Sequence, residues 1–467
     1  MKNTIVRIKG VEITNFKNVN FGHLDFKTSK NKNNASILGL YGQNGSGKTA
    51  LIDALELLKL LLCGKQVPSY FADYINVDSE YATLKYELEV SNTQDESTYS
   101  AFYSVNLCRE LKSSEQNVEQ PLAEESYKPI ISNEKISYSY MDKESSIKMS
   151  PVINTGDVEN VPFSPKSKRL ALVGNNRKTL TNLLVSKQLA YETSRSFVFS
   201  REMLTAIKEN CKENRHSFLL SSLVHFGNFQ LFVINTKNVG LISLNVLPIS
   251  FSINGNGRTD IGDILIELNK SSLIPESAFE VVEKVIENMN VVLQQLVPGL
   301  TIGVKCIGTQ LYPDGKPGRR IQLVSNKNNK EIPLLYESDG IKKLVSILQL
   351  LIAVYNSSSI TVAIDELDSG VFEYLLGELL RIISETGEGQ LIFTSHDLRP
   401  LEVLDKRFVA FTTTNSLNRY IRMSNIKTTN NLRDFYYRDI VLGEQCEPVY
   451  EMTNNSEIAM AFREAGG

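Results

Sequence analysis

Gly42-Gln43-Asn44-Gly45-Ser46-Gly47-Lys48-Thr49 is the stretch from which the rest of this 467-residue chain is read. Two glycines bracket four residues and Lys-Thr follows, which is the spacing of a phosphate-cradling P-loop. The apolar run Ile37-Leu38-Gly39-Leu40-Tyr41 precedes it. Behind it Leu51, Leu55, Leu58 and Leu62 fall on one helical face. Strand, glycine turn and helix form the context in which the motif has a mechanism. The glycines let backbone N–H groups curl around phosphate oxygens, and the new helix points its positive end at them. Lys48 would reach the β- and γ-phosphates, Thr49 would hold Mg²⁺ through its hydroxyl, and Ala50 continues the helix start. The alternative is a glycine-rich turn with an incidental lysine, and the flanks argue against it. A nucleoside triphosphate with Mg²⁺ is the expected ligand.

Hydrophobic residues make up 42% of the chain and charged residues 22%, which places it among globular proteins with room for two or three cores. A formal net charge of −3 gives no global field toward nucleic acid, so any such contact has to come from a local patch. Lys166, Lys168, Arg169, Arg177, Lys178 and the pair Arg319-Arg320 are the candidates for one. No apolar run is long enough to span a bilayer, and the N-terminal residues lack a signal core, so a cytoplasmic protein without membrane contact is expected. Cys63, Cys108, Cys211, Cys306 and Cys446 are scattered and never form C-x-x-C, which indicates neither a disulfide framework nor a zinc site.

A P-loop needs an acidic strand end, and Ile360-Thr361-Val362-Ala363-Ile364 ends in Asp365-Glu366. Such a β-branched run reads as a buried parallel strand. Asp365 would hold the Mg²⁺ shell, and Glu366 would orient or deprotonate the attacking water. Alone, the acidic pair also fits a turn or a helix cap. The next strand, Gln390 to Thr394, ends in Ser395-His396-Asp397. A histidine at that tip sits where open α/β sheets bind ligands and could touch the γ-phosphate; a surface histidine is the alternative. Upstream, Ser338-Asp339-Gly340 opens a helix with Leu344, Ile347, Leu348 and Leu351. Its N-terminus is a second anion site that could cap a γ-phosphate held by another subunit, or a simple N-cap.

Between these motifs the alternation predicts strands at Ile5–Ile13, Phe21–Phe26, Tyr81–Leu88, Tyr99–Leu107 and Lys135–Tyr140, an antiparallel sheet with one wet face. Lys112 to Tyr127 reads as a polar surface loop. Helices are expected from about Leu170 to residue 230 and over Glu276–Leu296, stopped by Pro298-Gly299. A hairpin pairs Thr301–Ile307 with Arg320–Ser325 around Pro313-Asp314-Gly315.

The order P-loop, long insertion, Ser-x-Gly helix start, apolar-Asp-Glu strand and strand-Ser-His resembles the ATP-binding-cassette ATPases, in their SMC, RecF and OLD-type heads. Val11-Glu12-Ile13-Thr14-Asn15-Phe16-Lys17 is similar to the first strand of those heads. The likeness covers about residues 1–110 and 330–430. It implies an α/β fold, an ABC-type P-loop ATPase head built of a mixed sheet flanked by helices plus an antiparallel β-lobe, with a mainly helical insertion. The expected division is 1–110 for the first part of the head, 111–330 for the insertion with oligomer and partner contacts, and 331–467 for the second part. The family signature is normally a fuller Ser-Gly-Gly, and its Q-loop glutamine has only Gln66 and Gln94 as candidates here. Asp368 would be the D-loop acid at a dimer interface.

The stretch Asp365 to Leu380 and the tail Asn431-Leu432-Arg433-Asp434-Phe435-Tyr436 look like the anti-phage branch of OLD-like ATPases, in particular the ATPase components of PARIS defence systems. That resemblance implies a homo-oligomer that holds a separate TOPRIM-type nuclease until a phage-encoded trigger is sensed. After His396 the sequence has no Asp-x-Asp, so such a nuclease is expected to act in trans. The competing expectation is a RecF/SMC-like DNA-binding repair ATPase; a third treats ATP as a structural ligand.

Overall fold

The computed structural model describes residues 4–26, 35–111, 127–156, 160–243, 245–255, 258–328, 330–424, 431–443 and 445–466. Nearly all of the expected loop at 112–127 lies outside them. In chain order, β1 (Thr4–Phe16) and β2 (Val19–Asp25) form a hairpin, and β3 (Ser36–Tyr41) runs through the glycine loop into α1 (Lys48–Leu62). Strands β4 (Tyr81–Asn92), β5 (Ser97–Leu111), β6 (Tyr127–Met141) and β7 (Ser146–Asn154) make a meander, followed by helices α2 (Lys166–Val173), α3 (Arg177–Glu192), α4 (Arg201–Asn210) and α5 (Asn214–Phe229). Next come β8 (Leu231–Ile234), α6 (Thr236–Ser243), the pair β9 (Val246–Gly255) and β10 (Arg258–Glu267), and β11 (Ser272–Pro275). α7 (Glu276–Leu296) precedes β12 (Leu300–Leu311), β13 (Pro317–Lys327) and β14 (Lys330–Pro333). The last part holds α8 (Asp339–Asn356), β15 (Thr361–Ile364), α9 (Glu373–Thr386), β16 (Gln390–Thr394), α10 (Arg399–Val403), β17 (Val409–Thr412), β18 (Tyr420–Ile421), α11 (Leu432–Leu442) and α12 (Asn455–Ala465).

The fold is α/β, with a mixed sheet flanked by helices and an antiparallel lobe, as expected. The first six-stranded sheet has the order β18-β17-β3-β16-β15-β8, parallel except at β18. Its β3, β15 and β16 are buried at every position, which is why they read as continuous apolar runs. The second six-stranded sheet, β2-β1-β4-β5-β6-β7, is antiparallel throughout. α1 lies between the two, against β1 on one side and β8, β15 and β16 on the other. It therefore buries Ile52, Leu57 and Leu61 as well as the expected leucine stripe.

Three differences have physical reasons. β1 continues through the expected joint to Phe16, which is fully buried, so that only Lys17 and Asn18 form the turn. β7 was not expected: it is a partly exposed edge strand containing Pro151, and edges tolerate both proline and weak alternation. β8 also escaped the pattern, since four apolar residues directly after a helix look like its last turn. Strand pairing also crosses both expected boundaries of the 111–330 segment. β6 and β7 complete the antiparallel sheet and β8 pairs with β15. The segment supplies helices, as expected, and strands to both parts of the head.

Candidate nucleotide site

The glycine loop leaves β3 at the carboxyl end of the parallel sheet, where β15 and β16 also end. Gly47 caps α1 at φ 95°, a left-handed conformation that a side chain would disfavour. Ser46 Oγ donates to Gln43 O at 2.6 Å and also pairs with Thr412 Oγ1 of β17. Tyr420 Oη donates to Gly47 O at 2.9 Å, and Asn18 Nδ2 donates to Gly45 O. The loop is thus braced from β17, β18 and the β1–β2 turn before any ligand enters. Lys48 Nζ is buried in the loop and donates to Gly42 O at 2.8 Å and Gln43 O at 3.0 Å. Burial pushes its pKa down to about 8, against the opposing pull of Asp365, Asp368 and Glu366.

Facing it, Asp365 is fully buried at the tip of β15. Thr394 Oγ1 of β16 donates to Asp365 Oδ1 at 2.5 Å, while Glu366 N–H donates to that same Thr394 oxygen at 2.8 Å. One hydroxyl therefore fixes both acids. Glu366 sits at φ 48°, left-handed for a non-glycine residue, and its carbonyl accepts from Lys343 Nζ on α8. Lys343 is itself pushed down to about 8 by burial, with Asp368, Glu366 and Asp365 pulling the other way. His396 lies at the exposed tip beyond β16; burial and then the charge on Lys48 lower its pKa, so its ring is neutral at pH 7.

Asn44, Gly45, Gly47, Lys48, Thr49 and Ala50 share one cleft of about 710 Å³ with Asp365, Glu366 and His396. Two of the predicted sets, loop and acidic strand, thus meet in space although 316 positions separate Thr49 from Asp365 in sequence. Asp365 Oδ2 is buried and has no hydrogen-bond partner. A hard cation with its water shell satisfies such an oxygen, and Thr49 supplies the second donor from across the cleft. The donor set fits Mg²⁺ held jointly with phosphate.

Ser338 and Gly340 do not line this cleft. Ser338 caps α8, accepting from Ile341 N–H at 3.4 Å, and a Cβ on Gly340 would come within 1.9 Å of Gly370 O. Both residues instead border a separate apolar cavity of about 480 Å³. Asp368 turns inward within its own chain, accepting from the N–H groups of His396 at 2.9 Å and Asp397 at 3.0 Å. It holds the histidine loop against the acidic strand. Gln66 and Gln94 are both exposed, and neither lines the cleft; its opposite wall is Asp73, Tyr74, Ile75, Asn76 and Val77.

Several contributors carried no sequence signal of their own. Lys17 lines the cleft, pairs with Asp53 and lies 4.2 Å from the centre of the Tyr74 ring. Its place after the Asn-Phe of the first strand was the available hint. Thr412 and Tyr420 act through contacts made across 366 and 373 positions, and Thr394 and Lys343 through contacts made across 23 to 29, which no local pattern announces.

No protein-family model matches the chain, and no curated protein matches it. Among solved structures it is similar to the Smc head domain of Pyrococcus furiosus bound to the C-terminal domain of ScpA, at 12% identity and a TM-score of 0.36, over 90% of this chain and 97% of that one. It is also similar to the SMC head domain of Thermotoga maritima, at 13% and 0.34, over 90% and 100% of the two chains. The recombination mediator protein RecF of the RecFOR pathway matches at 13% and 0.34, over 89% and 98%. What the site can do is decided by its own geometry. Among the described residues no helix is long and apolar enough to cross a membrane.

Proposed function

We propose that this chain is an ABC-type ATPase of the SMC/RecF kind that binds ATP with Mg²⁺ and hydrolyses it to ADP and phosphate. The observation that carries the reading is the convergence of the glycine loop, the Asp365-Glu366 strand end and His396 on one cleft. The N–H groups of the loop and α1 receive the phosphates, and Lys48 exchanges the carbonyls of Gly42 and Gln43 for phosphate oxygens. Thr49 and Asp365 would hold Mg²⁺, which would supply positive charge to offset that of the phosphates. Glu366, fixed through its backbone by Thr394 and Lys343, aims its carboxylate at the attacking water. Neutral His396 is a hydrogen-bonding partner for the γ-phosphate.

The site is composite in this reading. The Ser338–Gly340 helix start does not line the cleft of its own glycine loop; in this reading it serves a second copy, and the chain works as a homo-oligomer. Glu366→Gln tests the chemistry: turnover is expected to fall by at least about 100-fold while ATP binding persists, since only the water-activating group changes. Unchanged turnover would place the water-activating group elsewhere, whereas negligible turnover in the unsubstituted chain would favour ATP as a structural ligand.

We further propose that the oligomer controls a separate TOPRIM-type nuclease in anti-phage defence, released by a phage-encoded trigger. Its support is the sequence likeness of Asp365–Leu380 and Asn431–Tyr436 to that branch. Co-purification with such a nuclease, sensitive to ATP, is the expected result; a chain that never binds one removes this role. A DNA-engaging repair ATPase is the second reading, and Arg169, Arg319 and Arg320, three of its seven candidate basic residues, are already engaged within the chain. Arg319 is paired with Glu276 at 2.5 and 2.8 Å, Arg320 bonds Gln310 at 2.7 Å, and Arg169 bonds Phe163 O at 2.9 Å.

A further inference from the structure

A second cavity lies at the far end of α1 and shares no residue with the nucleotide cleft. The 15 residues of α1 carry the chain about 22 Å from Lys48 before Cys63 and Gly64 end the helix. There the segment between α3 and α4 is laid across it. Val67 N–H donates to Ser194 O at 2.8 Å. Gly64, at φ 60°, approaches so closely that a Cβ on it would stand 2.7 Å from Phe199 O. Buried Glu134 pins the same segment from the other side, accepting from Phe197 N–H at 2.8 Å, Val198 N–H at 3.3 Å and Ser196 Oγ, and from Tyr103 Oη at 2.7 Å. The cavity beside it is therefore walled by fixed backbone. Its volume is about 690 Å³, close to that of the nucleotide cleft and within the range of small-molecule sites.

The charge around this cavity is uneven. Arg195, Arg201 and Lys208 line it and are exposed, and among the described residues none of the three side chains has a hydrogen-bond or ion-pair partner. Glu202 is the only carboxylate in the lining, and it accepts from Ser186 Oγ at 3.4 Å. Three cations on one concave surface repel one another, and an anion of more than one charge offsets that repulsion. Guanidinium forks match phosphate oxygens two at a time, and a lysine adds a point charge. The ten-residue α4 also opens here, capped by Ser200, so its positive end adds to the same field. Leu189, Phe199 and Leu204 give the cavity an apolar wall, and Leu189 is 58% exposed with nothing over it.

We propose that this cavity is a second ligand site, which takes a small phosphorylated compound with an apolar or planar body. Its phosphate meets Arg195, Arg201 and Lys208, and its body lies against Leu189 and Leu204. The two sites stand at opposite ends of one helix, and neither needs the other to bind.

Pyridoxal 5′-phosphate is the probe, because it joins a phosphate and a flat ring to an aldehyde that marks lysines. The aldehyde condenses with the Lys208 amine and releases water. Borohydride then reduces the C=N bond to a secondary amine, which peptide mapping by mass spectrometry locates. The full chain is labelled, and Lys48 and Lys208 are read from separate peptides. Lys208 should be labelled at least about tenfold faster than exposed Lys212. Inorganic pyrophosphate should slow the labelling of Lys208 and leave Lys212 unchanged. Arg195→Gln with Arg201→Gln should remove the preference without changing the thermal midpoint, since both side chains are exposed and unpaired. Labelling of Lys208 no faster than of Lys212 overturns the site. So does a preference that neither pyrophosphate nor the double substitution reduces. Protection of Lys208 by a single-stranded oligonucleotide where pyrophosphate gives none assigns the surface to nucleic acid and overturns the small ligand.

Discussion

Thr394 offers the sharpest perturbation of the acidic strand. Its hydroxyl accepts from Glu366 N–H at 2.8 Å, donates to Asp365 Oδ1 at 2.5 Å and is out of contact with solvent. Thr394→Val keeps the shape and removes only that oxygen. An amide N–H is then buried without a partner, at about 1–3 kcal/mol, and a carboxylate loses a charge-assisted bond worth about 1.5–3 kcal/mol. Both losses come through one atom and are not independent, so a destabilisation of about 3 kcal/mol is expected. Glu366 loses the anchor that keeps it at φ 48°, and displacement of a catalytic group on the scale of 1 Å costs about 100-fold in rate. Urea unfolding and steady-state ATPase assays on the full chain measure the two effects. Thr394→Ser is the control: it retains the hydroxyl, loses one methyl and should cost about 1 kcal/mol with near-normal turnover. Equal stability and turnover for the valine and serine variants would refute the claim that this hydroxyl holds the acids.

Other outcomes follow from the same geometry. Lys48, at about 8, must be charged to meet phosphate, so ATP binding takes up a proton and weakens as pH rises through that value. Calorimetry should find affinity about tenfold weaker at pH 9 than at pH 7, with the slope abolished in Lys48→Arg but kept in Lys343→Arg. Gly340→Ala places a Cβ at 1.9 Å from Gly370 O, a backbone atom with little room to yield, and should lower stability by about 1–3 kcal/mol in thermal unfolding. A stability equal to the unsubstituted chain would mean that α8 and the turn before α9 are not in contact.

Much of the site was legible in the sequence because its chemistry is local. Gly42–Thr49 needs its residues in one order, and the buried parallel strands β3, β15 and β16 need apolar runs on both faces. The 3.6-residue repeat over Glu276–Leu296 gave α7 its observed bounds. What stayed hidden depends on distance. Thr394 looks like any strand threonine until Asp365 is seen beside it. Lys343 reads as a surface residue of an amphipathic helix, yet it is buried against the Glu366 carbonyl. Asp368, expected by likeness at a dimer interface, also accepts from the His396 and Asp397 N–H groups within the chain, a contact the sequence did not announce. A side chain's partner across a sheet leaves no trace in its neighbours in sequence.

The position of β3 has a consequence for how the protein is made. The strand that feeds the glycine loop is hydrogen-bonded on one side to β16 and on the other to β17. Ser46 itself pairs with Thr412, 366 positions later. On the ribosome the loop emerges early and waits through most of synthesis for the strands that brace it. Pairings so far apart in sequence form slowly and late. Each newly made chain therefore acquires a competent nucleotide loop only after its acidic strand and histidine tip exist. A truncated product would keep the motif without the strands that brace it.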